Sequence, residues 1–184
     1  MENTRSSLSA VFLDRDGVLN DLVDRGEGFK LGGELFRYTA PFQMSELVIK
    51  KDVPKALRVM REKGYKLFIV TNQPDVSNGC ITPNEFRRMM AVFRAMSFDG
   101  VYFCPHRPGI GCACRKPAPG MLLNAARRHG INLASSYMVG DSESDIEAGR
   151  KAGTGTMLVS SVSEISTQVS YVVPGVLEAA YLLP

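Results

Sequence analysis

The chain has 184 residues, 45% hydrophobic and 22% charged with both signs interspersed, which supplies apolar material for one sizeable core and excludes a largely disordered chain. A formal charge of +3 lacks the basic excess of a nucleic-acid binder, and no apolar run reaches the ~18 residues that a membrane span needs. A single domain over residues 1–184 is expected, and a cytoplasmic location, because Met1 to Ser9 is polar and lacks the apolar centre of a secretory signal.

Ala10 to Leu13 (AVFL) predicts a buried strand ending on Asp14. Asp21 to Lys51 shows no clean periodicity and carries Gly26, Gly28, Gly32 and Gly33, which predicts a loop-rich excursion over whatever site lies beyond that strand. Asp52 is placed to cap a helix with Val53, Ala56, Leu57 and Met60 on one face, and Gly64 to end it. A second buried strand runs from Lys66 to Val70 and leads into Thr71 and Asn72. Thr82-Pro83-Asn84-Glu85 has a capping threonine, proline at the first helical position and glutamate three residues after the cap, so a helix starts there and turns Phe86, Met89, Met90 and Phe93 to the core. Further strands are expected at Val101 to Phe103, Tyr137 to Val139, Thr156 to Val159 and Tyr171 to Val173, and further helices near Gly120 to His129, Ser144 to Ala152 and Leu177 to Leu182. Strands alternating with helices predict the α/β class, a mostly parallel sheet with helices on both faces. Ligands of such sheets bind beyond the carboxyl ends of the strands, where Asp14, Thr71 and Asp141 are all expected.

Asp14-Arg15-Asp16-Gly17 sets two carboxylates two positions apart at a turn that glycine allows. In that pattern Asp14 can attack phosphorus while Asp16 protonates the leaving oxygen and then activates water. A carboxylate approaching a phosphate dianion needs a cation, and Asp14, Asp141 and the backbone carbonyl of Asp16 offer the hard oxygens that Mg²⁺ prefers. Thr71 can hydrogen-bond a phosphoryl oxygen and Lys116 can neutralise its charge.

Three of the four cysteines crowd into Cys104, Cys112 and Cys114 beside His106. A Cys-x-His and a Cys-x-Cys pair separated by five residues can close a tetrahedral Cys₃His zinc site with no open position, hence a structural one. Its use would be to stiffen Arg107 to Gly111 and so to place Arg115 and Lys116. Cys80 is left as a small, partly buried hydrophobe.

FLDRDGVLN, VTNQ, RKPAPGM and VGDSESDIEAG resemble the four motifs of the haloacid-dehalogenase superfamily of phosphatases. The cysteine and histidine pairs resemble the zinc loop of its heptose-bisphosphate and histidinol-phosphate types, and the match covers roughly Val11 to Gly153. The resemblance implies a Rossmann-like sheet with a minimal cap, Asp14 as nucleophile, Asp16 as acid and base, Mg²⁺ on Asp14 and Asp141, and Thr71 and Lys116 at the phosphate. It implies further that Asn72, Gln73 and Arg115 line the substrate pocket. Asp145 matches a family acid near the metal, and reads equally as the partner of Ser142 in a capping box.

Two departures bear on substrate. Many heptose-type members carry glycine and arginine where this chain has Asp75 and Asn78, and the excursion from Asp21 to Arg37 is longer than usual for the family. The expected ligand is a small phosphorylated metabolite, with no nucleic acid and no membrane as partners: a heptose phosphate or bisphosphate first, histidinol phosphate second, since an acidic pocket residue would suit an amine. A reading from another class is a zinc-stabilised binding protein without turnover, against which the complete set Asp14, Asp16, Lys116 and Asp141 stands. A kinase is excluded, because no Gly-rich phosphate loop with a following Lys and Ser or Thr occurs.

Overall fold

The computed structural model describes residues 8–160 and 169–184, so most of the polar segment Met1 to Ser9 lies outside the described residues. In chain order the elements are β1 (Ala10–Leu13), β2 (Val23–Asp24), β3 (Lys30–Leu31), β4 (Glu34–Leu35), β5 (Tyr38–Thr39), α1 (Val53–Glu62), β6 (Lys66–Asn72), α2 (Pro74–Ser77), α3 (Pro83–Ala95), β7 (Gly100–Cys104), α4 (Gly120–His129), β8 (Tyr137–Gly140), α5 (Glu143–Ala152), β9 (Gly155–Val159), β10 (Tyr171–Val173) and α6 (Val176–Leu182). Six strands form one parallel sheet in the order β10-β9-β8-β1-β6-β7. The chain builds outward from β1 to β7 and then returns to β8 on the other side of β1. This reversal makes the carboxyl end of β1 a topological switch point, the place where such sheets bind ligands.

The central strand sequences follow from burial on both faces. Val11 and Leu13 pack into a core with α1, α3 and α6, whereas Ala10 and Phe12 pack into a second core with α4 and α5. An alternating polar residue would strand a polar group in either layer, so AVFL is apolar throughout. Phe12 stacks on Phe68 of β6 with ring centroids 5.6 Å apart, which fixes the two strands whose ends form the site. Among the described residues no helix is long and apolar enough to cross a membrane.

Phe86, Met89, Met90 and Phe93 are buried as the helical spacing requires. The α3 cap is made by Thr82, whose side chain accepts from the Glu85 N–H at 3.1 Å. Glu85 accepts instead from the Met44 N–H at 2.5 Å, so the glutamate ties α3 to the excursion. Asp52 does not cap α1: its backbone is already helical and its side chain makes no capping bond, while proline in the first turn removes one of the donors a cap would serve. Cys80 is half-buried, as expected of a small hydrophobe.

The excursion is more ordered than its sequence suggests. β2 pairs with β5 and β3 with β4, both antiparallel, and strands of two residues are too short to leave a periodic pattern. Arg25 pins its base, donating to both oxygens of Glu46 at 2.7 and 2.8 Å with the guanidinium carbon 4.2 Å from the centre of the Phe42 ring.

Candidate active site

β1 delivers Asp14 to the switch point, where its N–H donates to the Val139 carbonyl at 2.9 Å. The chain then turns at Gly17 with φ +84°, and a Cβ there would lie 1.8 Å from Asp141 Oδ2. Glycine is needed twice over, for the left-handed turn and for the approach of the second carboxylate. At Gly140 an added Cβ would lie 2.1 Å from the Asp145 Cβ, so a small residue at the end of β8 lets a third carboxylate pack in.

Lys116 is only 3% exposed, and its ammonium donates to Asp14 Oδ1 at 2.7 Å and the Val70 carbonyl at 2.8 Å. It also stands 2.5 Å from Asp145 Oδ1. Burial opposes its charge, but the carboxylates of Asp14 and Asp145 outweigh that and hold its pKa above the usual lysine value. Asn72 fixes the backbone that carries it, donating to the Lys116 carbonyl and accepting from the Lys116 N–H, both at 3.0 Å.

Asp14, Asp141 and Asp145 each bring a carboxylate oxygen within 4.8 Å of the others. Burial, together with repulsion from Asp145, Asp16 and Asp141, pushes Asp14 up to about 7 although Lys116 pulls it down. Burial and Asp145 likewise push Asp141 up to about 6. Three close carboxylates balanced by one lysine, all oxygen donors, suit a hard divalent cation. Asp145 also accepts from the Ser142 N–H at 3.1 Å and from its hydroxyl at 2.6 Å, so it contributes to the capping of α5 as well as to the lysine.

Asp16 sits in a cradle of donors. Arg15 reaches its two oxygens through Nη2 at 2.8 Å, Asn20 Nδ2 reaches Oδ1 at 3.0 Å and Gln73 Nε2 reaches Oδ2 at 2.7 Å. The Arg15 side chain is 0% exposed, with its guanidinium 5.9 Å from the centre of the Phe93 ring and its Nη1 on Met90 Sδ, so the apolar stripe of α3 also seats the arginine that holds Asp16. Neither Arg15 nor Asn20 is singled out by sequence reasoning, although both fall inside the FLDRDGVLN motif.

Gln73, expected at the pocket wall, is 1% exposed and instead bonds Asp16 and, at 3.1 Å, Thr71 Oγ1. Thr71 is buried beside it. Asn72 and Arg115 do line the cavity, with Asp14, Asp16 and Lys116. The cavity has a volume of about 740 Å³, and the excursion walls it with Leu22, Leu31, Phe36 and Tyr38.

The loop after β7 brings Cys104, His106, Cys112 and Cys114 together, with sulfur to imidazole Nδ1 distances of 3.4 Å from Cys104 and 3.2 Å from Cys114. Sulfur to sulfur distances run from 3.2 to 3.6 Å. Three thiols and one imidazole at mutual contact suit zinc in a closed tetrahedral site. The loop feeds directly into Arg115, whose Nη1 donates to the His106 carbonyl at 3.3 Å.

Residues 113–179 match the HAD-hydrolase-like family model. A D-glycero-beta-D-manno-heptose-1,7-bisphosphate 7-phosphatase of Helicobacter pylori is 35% identical over 170 residues, covering 89% of this chain and 90% of that protein. The similarly named enzyme of Yersinia pestis is 37% identical over 166 residues, covering 83% and 80%. Among solved structures, a D,D-heptose 1.7-bisphosphate phosphatase from B. bronchiseptica complexed with magnesium and phosphate superposes with a TM-score of 0.76 at 26% identity, over 96% of this chain and 98% of that one. With these relatives matched along nearly their whole length, the chain belongs to the phosphatases of the haloacid-dehalogenase-like hydrolase family.

Proposed function

We propose that this chain is a magnesium-dependent phosphatase that hydrolyses a small phosphorylated sugar through an aspartyl-phosphate on Asp14. The observation that carries this reading is the buried contact of Lys116 Nζ with Asp14 Oδ1 at 2.7 Å, at the switch point and open to the cavity. An Asp14 oxygen attacks phosphorus and the bond from phosphorus to the sugar oxygen breaks, with Asp16 giving that oxygen a proton. Asp16 then takes a proton from water, which attacks phosphorus, frees phosphate and restores Asp14. Lys116 neutralises charge on the transferring group. Thr71 accepts from Gln73, so its own hydroxyl hydrogen is available to a phosphoryl oxygen. Asp14, Asp141 and the Asp16 carbonyl would hold Mg²⁺, which would supply charge neutralisation between nucleophile and phosphate.

The substrate class is supported by the relatives, named as heptose-1,7-bisphosphate phosphatases, and by a cavity of about 740 Å³, which suits a ligand of sugar size. Cys104, His106, Cys112 and Cys114 would hold a structural zinc, which would stiffen the loop that presents Arg115 and Lys116. The test is phosphate release with Mg²⁺ from a panel of sugar phosphates, histidinol phosphate and nucleotides, with Asp14→Asn as the blank. Release well above that blank from a sugar phosphate is expected; release from nucleotides alone would refute the substrate class.

A further inference from the structure

Lys50 stands where the excursion returns toward α1, and its half-buried side chain donates from Nζ to the Gly17 carbonyl at 2.5 Å. Gly17 is buried in the turn that carries Asp14 and Asp16. Inside that turn the Gly17 N–H donates to the Asn20 carbonyl at 2.9 Å, and the N–H groups of Leu19 and Asn20 donate to the Arg15 carbonyl at 2.8 and 3.1 Å. The turn thus closes its own amide side, and Lys50 meets the Gly17 carbonyl from outside.

The return segment is held in place without this bond. The Asp21 N–H donates to the Val48 carbonyl at 2.9 Å, the Lys50 N–H donates to the Leu19 carbonyl at 3.0 Å, and Asn20 pairs with Ile49 in an antiparallel bridge. The Lys50 side chain reaches past this ladder into the turn. Among the described residues no carboxylate pairs with its ammonium. A hydrogen bond from a charged donor is shorter and stronger than one between neutral groups, so it fixes the tilt of the Gly17 peptide.

That tilt acts in two directions. Gly17 follows Asp16 directly in the chain, and a Cβ on Gly17 would lie 1.8 Å from Asp141 Oδ2, so the turn and the second carboxylate are in close contact. Rotation of the peptide would draw Asp16 away from Asn20 and Gln73 and press on Asp141. We propose that Lys50 is a positioning residue for phosphate release: by holding the Gly17 carbonyl it keeps the Asp16 carbonyl and Asp141 placed for Mg²⁺, and the Asp16 carboxyl placed for the leaving oxygen. The assignment rests on the function proposed above.

The test uses Lys50→Met and Lys50→Arg, with Val176→Ala in the buried face of α6 as a variant that loosens the core away from the turn. Mg²⁺ affinity is measured by titration calorimetry without substrate, and kcat and KM with p-nitrophenyl phosphate at saturating Mg²⁺. Expected for Lys50→Met are Mg²⁺ binding weaker by about tenfold and kcat lower by about tenfold, with KM within about twofold of wild type. Lys50→Arg, which can donate to the same carbonyl, should recover most of both losses. Val176→Ala should lower the melting temperature and leave Mg²⁺ affinity and kcat within about twofold. Should Lys50→Met fail to fold, Lys50→Gln, a shorter and neutral donor, is expected to change both quantities in the same direction. Wild-type Mg²⁺ affinity and kcat in folded Lys50→Met or Lys50→Gln, or losses matched by Val176→Ala, overturn the proposal, while wild-type turnover leaves the phosphatase reading standing. Absence of Mg²⁺-dependent turnover by the wild type, of p-nitrophenyl phosphate and of sugar phosphates alike, overturns both.

Discussion

Gln73 Nε2 lies 2.7 Å from Asp16 Oδ2 and 3.1 Å from Thr71 Oγ1, so one buried amide couples the expected acid to the expected phosphate ligand. Gln73→Ala should lower kcat about tenfold with little change in KM, because it disturbs the orientation of Asp16 and leaves the cavity wall in place. Steady-state kinetics on the best substrate check this. A raised KM at unchanged kcat would return Gln73 to the role of a substrate contact.

Arg15 is a buried cation whose partner is Asp16. Arg15→Met should destabilise the protein by about 3 kcal/mol, since it removes the charge that offsets a part-buried carboxylate. The midpoint of urea unfolding reads the change, and a midpoint equal to that of the wild type would show that Asn20 and Gln73 suffice.

Without metal, Asp14 is raised from 3.8 to about 7 and Asp141 from 3.8 to about 6. Carboxyls raised in the folded state bind protons more tightly there than in the unfolded chain. Their protonation therefore favours folding at low pH, and that contribution is lost as pH rises from about 4 to about 7. Lys116, raised as well, stays charged throughout this window and does not reverse the sign. Mg²⁺ should accordingly raise Tm more above pH 7 than near pH 5, because its ligands are then ionised and repelling. Thermal melts with and without Mg²⁺ at both pH values test this, and an equal shift at the two would contradict it.

Cys104, His106, Cys112 and Cys114 are expected to hold zinc. Metal analysis should find about one tightly held zinc per chain, and Cys112→Ser with Cys114→Ser should abolish it and cut activity, since Arg115 and Lys116 follow directly in the chain. Full zinc loading in that double variant would exclude the assignment.

The central strands were readable because they are buried on both faces, which leaves short apolar runs such as Ala10–Leu13, while the edge strand Tyr171–Val173 was readable from its β-branched and aromatic residues although Tyr171 and Val172 are exposed. The carboxylates were readable because they follow such runs. Side-chain direction after β6 was harder. Thr71 and Gln73 are two apart and face the same way, toward Asp16, while Asn72 faces Lys116. A motif names these residues without saying which turn inward. The excursion was opaque for another reason: its order rests on Arg25 with Glu46 and Glu85 with Met44, contacts distant in sequence and without periodicity.

The most direct test of the covalent role of Asp14 is Mg²⁺-dependent phosphate release by Asp14→Asn, in protein shown by its melting curve to be folded. Loss of turnover by more than about 10³-fold relative to wild type is expected. Turnover near the wild-type rate in that folded variant would mean that phosphate is transferred without Asp14 as the nucleophile.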